Sequence, residues 1–234
     1  VKNVFNNDTN TAFEVTFAYE NQAPNQRAFR VSAVTDPRYL SVTARHIFIK
    51  MPDDRFEPRV NDHRIGYFVN RSTDLTSYEN FANFALINKW RLIKKNPDAE
   101  MSEPEEPIVF WVENSTPEEI IPAVIAGIEN WNIAFEEAGF INAIVAKIQP
   151  EDADWDAADY DYNVVRWSSE PDGGLLGIGP SVSNPLTGEI ISADVVNKLL
   201  AVKIGYNYRK LYGYTEDNDP LMQYITNPVS YTHL

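Results

Sequence analysis

The most constraining feature of this sequence is a helical pattern at residues 115–140, which lies between two apolar strand patterns. Its apolar side chains recur three or four residues apart, which places them on one helix face: Ile120, Val124, Ile128, Trp131 and Phe135. Thr116 and Glu119 have the spacing of a capping box, and Pro117 suits the first helical position. Gly139 is a typical residue at a helix C-terminus. The pattern predicts one long amphipathic helix that covers a sheet.

The two flanking runs, residues 108–112 and 143–148, are nearly continuous in apolar residues. Runs of this length are typical of strands that are buried on both faces. A strand, a helix and a strand in this order form a βαβ unit with parallel strands and a right-handed connection. We therefore expect a parallel strand pair with Trp131 and Phe135 of the helix packed against it.

Other strand and helix patterns lie on both sides of this unit. Upstream, strands are predicted at 13–19, 29–34, 39–51 and 89–95, with a short helix at 77–85. Downstream, strands are predicted at 159–168, 178–182 and 190–196, followed by a helix at 198–210. The predicted fold class is α+β or α/β. A small antiparallel β-rich N-terminal unit precedes a mixed sheet that is backed by one long helix.

Composition excludes several classes of function. The 234 residues carry 34 acidic and 20 basic side chains, a net charge of −14, which would repel a nucleic-acid backbone and an anionic membrane surface. The chain has no cysteine, so thiol nucleophiles, thiolate metal sites and disulfides are excluded. No apolar run approaches the length of a membrane span. The sequence predicts neither a nucleic-acid partner nor a membrane span.

The candidate metal motifs are incomplete. Asp152, Asp154 and Asp156 alternate like the first ligands of an EF-hand, but Ala157 and Asn163 stand where that loop needs glycine and glutamate. A solvated acidic loop is the simpler interpretation. The three histidines, His46, His63 and His233, have no metal-ligand spacing. We expect His46 to be a half-buried packing residue of a strand and His63 to face solvent beside its charged neighbours.

The glycines at 173, 174, 177 and 179 do not form a phosphate-binding fingerprint, because Pro180 and a strand follow them instead of a helix. They are compatible with an edge strand that a peptide backbone approaches closely. The chain contains no Gly-x-Ser-x-Gly motif, and Ser168 and Ser169 have no activating base in sequence. The residues alone therefore predict an α/β core without a catalytic group.

A set of ordered local motifs carries a family resemblance. The motifs occupy residues 46–54, 56–59, 64–68, 89–97, 102–104, 107–112, 127–131, 134–140, 163–167 and 185–191. In this order they resemble a family of bacterial zinc-dependent metalloproteases of the metzincin-like zincin class, preceded by a β-rich domain of unknown function. Asn61-Asp-His-Arg64 departs from the family's usual Asp-Pro-Arg turn.

The resemblance implies a long helix behind a twisted mixed sheet whose edge strand pairs with the backbone of a protein or peptide substrate. It places six residues at that edge as substrate-binding residues: Gly177, Ile178, Gly179, Pro180, Ser181 and Val182. A His-Glu-x-x-His helix should follow, holding zinc and the glutamate that activates water. The sequence lacks this motif, so we expect zinc in the full-length parent but no cofactor, metal ligand or catalytic residue in this chain.

The resemblance also implies a domain organisation and a location. Residues 1–66 would be part of the β-rich domain, 67–106 a connector and 107–228 the N-terminal part of a zincin-like catalytic domain. Residues 229–234 resemble the translation of a sequencing adaptor, and we expect them to be an artefactual tail. The expected location is extracytoplasmic: periplasmic, cell-surface or secreted. The sequence predicts no oligomeric state.

The predicted function is the N-terminal fragment of a zinc-dependent endopeptidase, inactive as this polypeptide. One alternative is a complete non-enzymatic secreted module that binds a peptide or a glycan. A second alternative is a small-molecule hydrolase that uses two carboxylates, which only the abundance of Asp and Glu supports. Downstream coding sequence would separate the first two interpretations, and a pair of close, buried carboxylates in a cleft would favour the third.

The missing motif makes a direct prediction for the purified chain. We expect no stoichiometric zinc by elemental analysis and no cleavage of casein, because no set of side chains in the sequence has zinc-ligand spacing. A sample dialysed against metal-free buffer that still holds about one zinc per chain would contradict this expectation.

Overall fold

The structure is a computed structural model of the chain. It describes residues 1–23, 35–52, 56–78, 83–169, 176–215, 218–222 and 225. The chain forms two compact units, Val1–Asp54 and Arg55–Leu234. The second unit contains the predicted βαβ unit. The domain boundaries at residues 66 and 106 stay predictions.

The first unit is an antiparallel sheet in the order β1–β2–β3, formed by Val4–Asn6, Asn10–Glu20 and Tyr39–Ile49. Strands β2 and β3 pair along their full length, because both alternate β-branched and aromatic residues with polar ones. The prediction of a small antiparallel N-terminal unit is confirmed. The strand predicted at 29–34 lies outside the described residues.

The second unit begins with a hairpin of β4, Val69–Thr73, and β5, Asn83–Ile87. The helix predicted at 77–85 is wrong where the structure describes it, since 83–85 belong to β5. Phe84 and Leu86 are two residues apart, which places them on one face of a strand, and both pair with β4. The strand predicted at 89–95 is also wrong, because Lys89 and Lys94 form isolated bridges to different partners, Glu189 and Pro104.

Seven further strands follow: β6 Ile108–Val112, β7 Ile144–Ile148, β8 Asn163–Ser168, β9 Gly177–Ile178, β10 Ser181–Ser183, β11 Ile190–Ala193 and β12 Val195–Lys198. Five of them form a mixed sheet in the order β7–β6–β8–β12–β9. The first four of these strands are parallel, and β9 is antiparallel to β12. The parallel pairing of β6 with β7 confirms the predicted βαβ unit and the mixed α+β fold class.

The crossover between β6 and β7 is two helices instead of one. A 3-10 turn, Glu118–Ile120, leads into α1, Ile121–Glu129, and α2 follows at Asn132–Glu137. The Asn132 side chain bonds both backbone groups of Ile144, donating to its carbonyl at 2.9 Å and accepting from its N–H at 3.1 Å. These bonds fix the start of α2 against the start of β7.

The prediction for the helix ends is half correct. Gly139 has φ of 83° and follows the last turn of α2, which confirms it as the C-terminal residue. The capping box is wrong, because the Thr116 hydroxyl accepts a hydrogen bond from the indole of Trp167 at 2.9 Å. Glu119 instead binds Arg209. Tertiary partners thus take both capping side chains.

The core of the second unit lies between α1 and one face of the sheet. Phe110 and Val112 of β6 and Val124 and Ile128 of α1 are at most 1% exposed. Each such side chain contributes roughly 1.5–3 kcal/mol when buried. Trp131 and Phe135 pack against this cluster as predicted and stay partly exposed.

Helix α3 spans Leu199–Tyr212 and confirms the prediction at 198–210. Arg209 holds it in place: its Nε donates to Asp219 at 2.7 Å and its Nη1 donates to Glu119 at 2.6 Å. Asp219 is 8% exposed. Hydrogen bonds from the Arg209 guanidinium lower the pKa of Asp219. The guanidinium thus links α3 to the turn before α1.

None of the helices in the part of the chain that the structure describes has both the length and the apolarity needed to span a membrane.

Replacing Arg209 with Ala should destabilise the second unit by about 2 kcal/mol, because a buried carboxylate loses its charged hydrogen bonds. The lowered pKa of Asp219 stabilises the fold above its unfolded-state pKa, and this contribution is lost as the pH falls through the folded-state value. Arg209→Ala should therefore also shift acid unfolding to higher pH. Circular dichroism against urea and against pH measures both effects.

The control is Lys95→Ala, which removes the exposed ion pair to Glu103 in the same unit. Exposed pairs contribute about 0–1 kcal/mol. Equal urea midpoints for the two variants would show that Arg209 is not a structural anchor.

Candidate functional site

The six predicted substrate-binding residues lie at an edge of the second unit. Gly177 and Ile178 form β9, the last strand of the five-stranded sheet, and Ser181 and Val182 begin β10, which pairs with β11. The single strand predicted at 178–182 is therefore divided at Gly179 and Pro180. Ile178 is 49% exposed and Val182 is 46% exposed.

The division of this strand does not interrupt its alignment. Ile178 lies opposite Val196, and Ser181 lies opposite Ala193, so both sides advance by three residues. Two backbone bonds continue the same register, from Lys198 N–H to the Leu176 carbonyl at 2.9 Å and from Asp194 N–H to the Pro180 carbonyl at 3.0 Å. Residues 176–182 thus form one antiparallel run against β11 and β12, which we call the edge run.

The register decides which backbone groups of the edge run point outward. In an antiparallel pair, alternate residues bond the partner strand and the others face away. Leu176 and Pro180 bond inward, so Gly177, Gly179 and Ser181 direct their N–H and C=O groups away from β11 and β12. Ser181 is exposed, Gly177 is half-buried and Gly179 is buried. The outward-facing residues also have the smallest side chains of the run.

Polar side chains hold β11 and β12, the two strands that pair with the edge run. Asp194, between β11 and β12, accepts a hydrogen bond from Val164 N–H at 3.2 Å and lies 3.5 Å from Arg166. Burial raises the pKa of Asp194, and the Arg166 charge opposes this increase. The Asn163 amide donates to the Val109 carbonyl and accepts from Ala193 N–H, both at 2.9 Å. These contacts position β11 and β12 and present no reactive group.

The acidic loop, His46 and His63 form no metal site among the described residues. In the part of the chain that the structure describes, no three His, Cys, Asp or Glu side chains are grouped to hold a metal ion. Asp156 instead accepts a hydrogen bond from Ala158 N–H at 2.7 Å, as in a solvated turn. His63 is exposed as predicted. His46 packs against Phe13 and Phe17 but is exposed, so its predicted half-burial is wrong.

His233 and the glycines at 173 and 174 lie outside the described residues, as does the predicted tail at 229–234.

A cavity of about 570 Å³ in the second unit adjoins the edge run at Ser181. Its walls come from the connector at 59–68, the segment at 87–92, α2 with the residues that flank it, and single residues of β10 and β11. Aromatic and aliphatic side chains form most of this lining, together with Arg59 and Lys89. No sequence pattern indicates this cavity, because its walls are distant in the chain.

The segment at 87–92 is fixed beside this cavity by Gly188 and Glu189. Lys89 N–H donates to the Gly188 carbonyl at 3.0 Å, and Arg91 forms an ion pair with Glu189 at 2.7 Å. Gly188 has φ of 78°, and a Cβ there would lie 2.3 Å from the Ile87 carbonyl oxygen. Only glycine fits this close approach.

Comparison with known proteins covers only the N-terminal part of the chain. Residues 1–95 match a family described as a domain of unknown function, DUF5117. The match contains the first unit and the β4–β5 hairpin, and the edge run lies outside it. The expected domain of unknown function is thereby confirmed. No curated protein and no solved structure matches the chain. Membership of the metalloprotease family stays a prediction.

The Gly188→Ala variant should lose at least about 2 kcal/mol of unfolding free energy, because it combines a positive φ with a backbone clash. Urea denaturation monitored by tryptophan fluorescence measures the loss.

The matched control is Gly66→Ala. A Cβ at Gly66 has no atom within 4 Å. Gly66→Ala should therefore change the free energy of unfolding by no more than about 0.5 kcal/mol. A Gly188→Ala variant as stable as Gly66→Ala would contradict the assigned role.

Proposed function

We propose that this chain supplies the substrate-binding part of the catalytic domain of a zinc-dependent endopeptidase. The observation that carries the proposal is the edge run, an antiparallel segment at one end of a mixed sheet. Helix α1 covers one face of this sheet. An extended peptide would lie beside the run and pair with the accessible outward N–H and C=O groups of Gly177 and Ser181. The backbone bonds supply affinity without selecting side chains.

Two features support this proposal over an ordinary sheet edge. The accessible outward-facing residues, Gly177 and Ser181, have small side chains that leave room for a second backbone. The edge run also continues past the bend at Pro180 without a change of register. The outward-facing groups of Gly177 and Ser181 are thereby kept on one side of seven consecutive residues.

The residues described in the structure do not fit a zinc ion, because they bring no set of ligands together. The proposal therefore requires the zinc-binding histidines to come from sequence other than these 234 residues. No step of peptide hydrolysis is assigned to this chain. Its own contribution is to hold the substrate backbone extended and in register.

The alternative is a non-enzymatic peptide- or glycan-binding module. A glycan platform has weaker support, because the stacked Trp155 and Tyr162 rings, 3.8 Å apart, cover one face of each other. Sequencing the gene beyond codon 234 separates the alternatives. An in-frame His-Glu-x-x-His within a few dozen codons supports the endopeptidase. A stop codon directly after residue 234 contradicts it and favours the binding module.

Peptide pairing at the edge run is testable on the chain itself by backbone NMR. The probe is a lysine-flanked peptide of alternating valine and threonine, which is soluble and extended. We expect its addition to shift the Gly177 and Ser181 amide resonances, which face outward. The Ile178 and Val182 amides should shift less, because the register directs them towards β12 and β11.

The matched control is the same peptide with N-methyl groups on the alternate amides that would face the edge run. It should cause no shift, since it cannot complete the ladder. Equal shifts with the methylated peptide, or shifts that are largest at the opposite edge in β7, would overturn the assignment of the edge run as the peptide site.

A further inference from the structure

The cavity beside the segment at 87–92 has a charge pattern that differs from the rest of the chain. The sequence has a net charge of −14, yet the cavity lining contains Arg59 and Lys89 and no Asp or Glu. Lys89 lies 4.8 Å from the ring centroid of Phe56 and has no carboxylate partner in the described ranges. An unpaired cation at an apolar cavity is a ready partner for an anion.

The rest of the lining is suited to an aromatic group. Trp90, Trp131, Phe135 and Phe140 contribute to the walls, and the volume of about 570 Å³ lies within the usual range of small-ligand sites. Aromatic rings bind one another by burial and by offset or edge-to-face contacts. The lining thus combines a large apolar surface with positive charge, which matches a ligand that has an aromatic body and an anionic end.

Two tryptophans of the lining also lack hydrogen-bond partners. The indole N–H groups of Trp90 and Trp131 are buried and unpaired within the part of the chain that is described. Buried donors without partners are uncommon in folded proteins. Both atoms are inaccessible to solvent, so neither contacts a ligand unless its ring moves. A carboxylate offers such acceptors, whereas an aliphatic ligand offers none.

From this geometry we infer that the cavity binds an aromatic carboxylate, with the ring among the aromatic side chains and the carboxylate at Lys89 and Arg59. A free aromatic acid and the aromatic C-terminal residue of a peptide share this chemistry. Ser181 of the edge run also lines the cavity, so the two sites adjoin. The inference about the cavity does not depend on protease activity.

Titration calorimetry and tryptophan fluorescence test this inference on the whole chain. The probes are 3-phenylpropanoate, its neutral amide 3-phenylpropanamide, propanoate, and the tripeptide Ala-Ala-Phe with a free carboxylate. We expect saturable binding of 3-phenylpropanoate with a Kd of about 1 mM or lower, which is ordinary for a ligand of this size. The amide and propanoate should each bind at least about tenfold more weakly, because each lacks one of the two recognised groups.

The tripeptide identifies the source of the ligand. Tighter binding of Ala-Ala-Phe than of 3-phenylpropanoate supports a peptide C-terminus, and weaker binding supports a free acid. The inference would be overturned if neither 3-phenylpropanoate nor Ala-Ala-Phe showed saturable binding at concentrations up to about ten times the expected Kd. Equal affinity for 3-phenylpropanoate and its amide would also overturn it, since the cation would then have no role.

Two lysine variants test the location. Lys89→Gln should weaken 3-phenylpropanoate binding about fivefold or more and leave amide binding unchanged. Lys147→Gln is the control, because Lys147 is also a lysine over an aromatic ring, 5.3 Å from the Trp111 centroid, but it does not line the cavity. Equal effects of the two variants would place binding outside the cavity. The ligand series on the unmodified chain remains decisive if a variant fails to fold.

Discussion

Burial of one face of β6 is the constraint on which the second unit depends. Ile108, Phe110 and Val112 lie on that face and are nearly inaccessible to water. They are covered because the chain after β6 crosses the sheet as α1 and returns as β7. The pairing of β6 with both β7 and β8 satisfies its backbone while α1 covers its side chains. The remaining strands add to a sheet whose orientation this crossover has already fixed.

The sequence predicted this crossover because its signals are local. A helical period between two apolar runs requires no knowledge of distant partners, and the parallel pairing follows from chain connectivity. The interrupted helix and the capping box were mispredicted because their causes are distant. Asn132 is engaged by Ile144 and Thr116 by Trp167, so tertiary hydrogen bonds replace the local ones. A capping motif identifies side chains that can cap a helix, and their other available partners decide whether they do.

The two candidate sites differ in how well the sequence alone could predict them. A family resemblance and the glycines before Pro180 predict the edge run. This was possible because its residues are contiguous in the chain. The cavity has walls from five separate stretches, and its most informative residue, Lys89, is predicted in a strand that does not form. In a helical pattern, an aromatic residue such as Trp131 is interpreted as a core residue. Only the folded chain brings Trp131 together with Lys89 at one cavity.

The position of Pro180 bears on whether the edge run is protected or accessible. Proline often blocks pairing at a sheet edge, since it removes an N–H from the side that faces solvent. Here the register turns Pro180 inward, where its carbonyl accepts the Asp194 N–H. The N–H that proline lacks would have pointed at the partner strand, so its absence weakens the protein's own ladder. The outward side keeps all its donors, because they belong to glycines and a serine. At the opposite edge, β7 carries Lys147, a charge of the kind that discourages pairing. The sheet thus places a charged side chain at one edge and small side chains at the other, as expected where one edge receives a partner strand.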